Sequence, residues 1–132
     1  MEENKIFLII GLIIIIIIAG CTSPSETNTA NDCTTKDCFI SLSNECKDIT
    51  ITVNEDAGVF KYSSSDCVFT KTLVSLNEEE TDEMKNLLQG KSLTCRYENG
   101  KFDQRLVDTL IFGTESCEGE LKEILVRLLV FD

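Results

Sequence analysis

The chain has 132 residues, with 23 Asp and Glu against 12 Lys and Arg, no histidine, no tryptophan and a formal net charge of −11. That charge repels phosphate, so nucleic acid is excluded as a partner, and the missing histidine removes the commonest general base and the commonest transition-metal ligand together. One small domain fits this length, with a core modest enough to gain from covalent support, for which seven cysteines are candidates.

From Ile6 to Ala19 the chain is apolar except at Gly11, the length of a secretory signal core and short of the ~20 residues that span a bilayer. Ile18-Ala19-Gly20-Cys21 closes the run. This tetrad resembles the lipobox of prokaryotic lipoproteins, in which a branched apolar residue and two small ones precede a cysteine that is lipidated and becomes the mature N-terminus. The resemblance implies that residues 1–20 are a lipoprotein signal peptide and that a lipid on Cys21 holds the chain on the extracytoplasmic face of the cell membrane. Each buried methylene of such a lipid adds about 0.8 kcal/mol of membrane affinity. Met1-Glu2-Glu3-Asn4-Lys5 is a poor positive flank, and an uncleaved N-terminal anchor is the alternative, which leaves the domain on the same side. Cleavage after Gly20 removes Glu2, Glu3 and Lys5 and leaves a charge of −10. The abundance of Ile, Lys, Glu and Asn suits an AT-rich prokaryotic genome, archaeal genomes among them.

Residues 21–35 are rich in Ser, Thr and Asn, and from Thr22 to Asp32 no apolar side chain exceeds Ala30. Such a segment cannot bury enough surface to offset its ordering entropy, so it is expected to be a flexible tether to a single domain over residues 36–132. With Cys21 assigned to lipid, six cysteines remain: Cys33, Cys38, Cys46, Cys67, Cys95 and Cys117. An even number in a small exported domain points to three disulfides. The expected pairing ties the first three to the last three. Zinc is disfavoured because Cys33-x4-Cys38 is a lone close pair without histidine, and a redox site would need Cys-x-x-Cys. No metal or other cofactor is expected.

Alternation of Ile49, Ile51 and Val53 with Thr50 and Thr52 predicts a half-buried antiparallel strand, with a turn at 54–58. Further strands are expected over 59–62 and 67–74, with Phe39 to Leu42 as an added edge. Asn77, three residues before Glu80, predicts a helix start, with Met84, Leu87 and Leu88 on one face and Gly90 as its end. The acids Glu78 to Glu83 suit the first turns of such a helix better than a calcium site, since no loop converges them. Lys91 to Tyr97 reads as a strand. Residues 103–112 read as a helix capped by Asp103, and a hairpin partner is the alternative. Cys117, Leu121, Ile124, Leu125, Leu128 and Leu129 mark an amphipathic final helix with Cys117 at the head of its buried stripe; a membrane-surface role is disfavoured, since its polar face lacks the Lys/Arg excess such helices use on anionic bilayers. The sum is an α+β fold: a small antiparallel sheet of three to four strands, covered on one face by two or three helices and stapled by disulfides. Leu76-Asn77-Glu78-Glu79 after a hairpin resembles small exported lipoproteins of unknown function, a likeness that carries no activity.

No catalytic constellation stands out, so the expected role is non-enzymatic: a membrane-tethered module that binds protein or envelope material through its open sheet face, with Thr50, Thr52 and Lys61, or through its edge. The alternative is a small carboxylate-dependent hydrolase at the cell surface, using Asp103 with Asp108 or Glu98 with Asp103 as acid and base.

Overall fold

The computed structural model describes residues 33–130; the leader, Cys21 and most of the proposed tether lie outside the described residues. One antiparallel sheet runs in the order β1 (Ile49–Glu55), β2 (Gly58–Ser65), β3 (Val68–Leu76), β4 (Ser92–Arg96), β5 (Cys117–Glu118). Among the described residues four helices accompany it: α1 (Lys36–Asn44), α2 (Asp82–Leu88), α3 (Arg105–Asp108) and α4 (Glu120–Val130). The sheet therefore has five strands rather than three to four, the fifth being the two-residue pairing of Cys117 and Glu118 with Cys95 and Thr94.

Period-two burial builds the core. Ile49, Ile51, Phe60, Tyr62, Phe69, Leu73, Leu93 and Cys95 all point to one face, and Phe39, Leu42, Leu88, Leu106, Val107, Leu121 and Leu125 from the four helices close over it as one cluster. The β2–β3 turn has Asp66 at φ 49° and Cys67 at φ 58°, the left-handed pair that matches strand twist in a two-residue hairpin. Gly58, at φ 149°, is required where β2 meets β3, because a Cβ there would collide with the Ser75 carbonyl oxygen.

Several elements differ from the expectations above. Phe39 to Leu42 is helical, not an edge strand: Phe39, Leu42 and Ser43 recur at i, i+3, i+4 and are buried, and the Thr35 hydroxyl caps the first turn by accepting from the Cys38 amide at 3.2 Å. The next helix starts at Thr81, whose hydroxyl accepts from the Met84 amide, while the Asn77 side chain donates to the Asp56 carbonyl and ties the end of β3 to the β1–β2 turn. Within residues 103–112 only Arg105–Asp108 is helical. Cys117 lies in β5, one strand ahead of the helix it was expected to begin, and Leu128 and Leu129 of the expected buried stripe are exposed.

The six cysteines pair as Cys33–Cys38, Cys46–Cys67 and Cys95–Cys117, with Cα separations of 5.6, 4.5 and 4.1 Å. Only Cys46–Cys67 and no other pair joins an early cysteine to a late one; the expected arrangement is otherwise replaced by pairing of successive neighbours. The reason is geometric: register sets Cys95 opposite Cys117, and the chain entering the first helix brings Cys33, just ahead of the Thr35 cap, against Cys38 in its first turn.

Replacing Cys95 and Cys117 together by alanine is expected to lower unfolding free energy by about 3 kcal/mol, since the loop they close spans 22 residues, whereas removing Cys33–Cys38, which closes 5, costs about 2 kcal/mol. Phe39→Ala costs more than either, about 3–5 kcal/mol. Urea titration of the oxidised proteins measures all three.

Candidate functional site

The face of the sheet turned away from the helices follows from the same alternation. Strand register aligns Thr50, Ser63, Thr70, Thr94 and Glu118 in one row and Thr52, Lys61, Thr72 and Ser92 in the next. Threonine and serine suit these positions because a β-branched or small polar side chain fits a half-solvated pleat. Neighbours within a row lie about 4.8 Å apart and the rows about 7 Å apart. Two cross-strand contacts order the hydroxyls, Thr72 Oγ1 with Ser92 Oγ at 2.7 Å and Thr70 Oγ1 with Thr94 Oγ1 at 3.4 Å. In a chain of charge −11 these two rows hold one acid and one base, Glu118 and Lys61. Each hydroxyl both donates and accepts, and each threonine adds a methyl group. The arrangement can therefore bind an uncharged polar surface without a desolvated ion pair. Thr50, Thr52 and Lys61, expected on the open face, lie there. β1 forms the sheet's first edge and contains neither Pro nor Lys, the residues that most often block strand addition.

On the helical side a pocket of about 150 Å³ opens between the β1–β2 end and the segment after α3, lined by Glu55, Phe60, Tyr62, Lys71, Val107 and Asp108 among others. Lys71 is 3% exposed. Its Nζ donates to the carbonyls of Thr109 at 2.8 Å and Leu106 at 3.2 Å and lies 5.1 Å and 5.2 Å from the ring centroids of Phe60 and Tyr62. Burial pushes its ammonium down to about 8, against the upward pull of Glu55. The Tyr62 hydroxyl donates to Glu55 Oε1 at 3.0 Å, with the Val107 carbonyl at 3.4 Å, and Glu55 also holds Lys36 at 2.5 Å. Burial first, and the Glu55 hydrogen bond second, raise the phenol far above its ordinary range.

A desolvated lysine in a pocket is a nucleophile's setting, but here the hydrogen bonds oppose that use. Condensation with a carbonyl compound leaves the nitrogen at most one N–H, so either Leu106 or Thr109 would keep a carbonyl without its donor, at about 1–3 kcal/mol. Lys71 fastens the α3 segment to the sheet. The signal for it stands in Phe69-Thr70-Lys71-Thr72-Leu73, where strict alternation turns Lys71 inward.

The acids considered for hydrolysis go to separate partners. Asp103 is held by Arg105, with Nη2 at 2.7 Å and Nε at 3.1 Å from its carboxylate, and this hydrogen bonding keeps its carboxyl below the ordinary range. A general acid needs the opposite shift. Glu98 pairs with Lys101, and Asp108 lies at the pocket. Among the described residues no three His, Cys, Asp or Glu side chains converge as a metal set, and no helix is long and apolar enough to cross a membrane. Cys21 lies outside the described residues.

No family model matches the chain, and no curated protein or solved structure matches it.

Because the folded-state value of Lys71 lies below the 10.5 of an unperturbed lysine, the unfolded chain binds more protons between those values, and stability rises with pH across the window. The stability of the protein relative to Lys71→Met is expected to grow by about 3 kcal/mol between pH 8 and 10.5. Paired urea titrations at fixed ionic strength would show parallel curves if Lys71 titrated normally.

Proposed function

We propose that this chain is a lipid-anchored extracytoplasmic module, attached through Cys21, that works by binding an uncharged protein or envelope surface and not by catalysis. The observation that carries the reading is the hydroxyl-bearing sheet face, on which two rows of Thr and Ser outnumber the charged Lys61, Arg96 and Glu118 in an otherwise strongly acidic domain. Disulfide staples agree with an oxidising, extracytoplasmic setting. The lipobox-like tetrad and the Ser- and Thr-rich segment after it supply the anchor and the reach. The engagement of Asp103 with Arg105 and of Glu98 with Lys101 gives the hydrolase alternative no particular support.

The test of binding is Thr52→Arg with Thr72→Arg in the full chain. The two positions flank Lys61 in one row, so the variant places three adjacent cations on the face. Crosslinked recovery of the envelope partner is expected to fall by at least about tenfold, the equivalent of ~1.4 kcal/mol, with the melting temperature unchanged. Undiminished recovery refutes the face. Intact mass of the membrane-extracted chain is expected to show loss of Met1 to Gly20, a lipid on Cys21 and six thiols alkylated only after reduction; an unprocessed chain refutes the anchor.

A further inference from the structure

The final helix has more apolar surface than the core uses. Leu121 and Leu125 seal it at 0% and 8% exposure, while Val126, Leu129 and Val130 stand 42%, 58% and 72% exposed. These three recur at i, i+3, i+4 and so share one helical face. Val126 also lines an apolar groove with Leu110, Ile111 and Leu125, and Phe112, next in the chain after Ile111, is 68% exposed. We propose that this stripe, Val126, Leu129 and Val130, rests in the bilayer surface to which the domain is tethered.

The inference rests on the anchored reading above, and the length of chain outside the described structure selects lipid as the occupant. Twelve residue steps separate Cys21 from Cys33, a reach of at most about 40 Å. A domain of about a hundred residues has a radius of gyration near ~13 Å. The domain therefore stays within roughly its own diameter of the membrane, and a weak contact suffices because the lipid on Cys21 already holds the chain there. A second copy fits less well. A standard interface uses about 20–30 residues a side, and this stripe offers three with one neighbouring ring. Charge selects the headgroup. Within α4, Glu120 and Glu123 are balanced by Lys122 and Arg127, but the domain as a whole is strongly acidic. The surface it accepts is zwitterionic or uncharged, and anionic lipid repels it.

The chain contains no tryptophan, so Leu129→Trp is a single fluorescent reporter at an exposed position, and Val130→Trp is the second should the first not fold. The processed, lipidated full chain is reconstituted into phosphatidylcholine vesicles with and without bromine on the acyl chains. Docking gives a blue-shifted emission that brominated lipid quenches by about half or more, lost when Val126→Asp is added and weakened when phosphatidylglycerol replaces part of the lipid. A chain that floats with the vesicles yet emits as in water, unquenched, leaves the anchor standing and overturns the docking. Blue-shifted emission that is insensitive to bromine, with crosslinking between two chains, makes the stripe a self-association face and also overturns it. A chain that does not float with the vesicles refutes the anchor, and the inference falls with it.

Discussion

Phe39 is the point at which the sheet is closed. Its ring meets Tyr62, Phe69 and Phe102 at centroid distances of 6.0, 5.9 and 6.1 Å, and Phe102 in turn lies edge-on to Tyr97 at 5.0 Å. Edge-to-face pairs of this kind contribute about 0.5–1.5 kcal/mol each beyond the area they bury. The helix that delivers Phe39 is fixed at its start by the Thr35 cap and the Cys33–Cys38 bond. Its end is fixed by the Asn44 carbonyl and side chain, which accept from Gly100 and Phe102, and by the Ser43 carbonyl, which accepts from Tyr97. A small helix thereby orders the 97–102 loop and the middle of the sheet together.

The two faces of the sheet solve opposite electrostatic problems. The inner face accepts one cation, Lys71, and satisfies it with two carbonyls and two aromatic rings. The outer face is mostly hydroxyl-bearing, and its charges, Lys61, Arg96 and Glu118, are of both signs. Glu55, near the β1 edge, connects the two regions: it holds Lys36 of α1 and Tyr62 of β2 and lines the Lys71 pocket. Carboxylates elsewhere are spread over α2, α4 and the loops, where water screens them. The acidity of the molecule is thus mostly a property of its helical and loop surfaces, and the outer face of the sheet holds few carboxylates.

Where two-residue alternation repeats over a whole strand, as from Ile49 to Val53, the burial pattern could be read from the sequence directly. Shorter signals were ambiguous for physical reasons. Phe39-Ile40-Ser41-Leu42 is compatible with a strand or one turn of helix, and what separates them is Thr35, whose capping oxygen lies upstream of the apolar residues. Asn77 and Thr81 are both good caps four residues apart; the choice fell to Thr81 because Asn77 is needed by the Asp56 carbonyl. β5 is too short to carry a period at all, and only the register of Cys95 with Cys117 defines it. Of the candidate surface, Thr50, Thr52 and Lys61 were legible as one strand pair, but the contribution of Thr70, Thr72, Ser92 and Thr94 depends on strand order, which no local pattern encodes.

The disulfide map is that of successive neighbours, 33 with 38, 46 with 67 and 95 with 117. None of the three covalent rings encloses or crosses another, so no segment must thread through a ring already closed. For a chain that enters an oxidising space N-terminus first, each of these six cysteines has its partner as its neighbour in the order of emergence. Native connectivity then follows from the order of arrival alone, without reshuffling, and a cut in the segment between Cys67 and Cys95 would release two pieces with every sulfur still correctly joined.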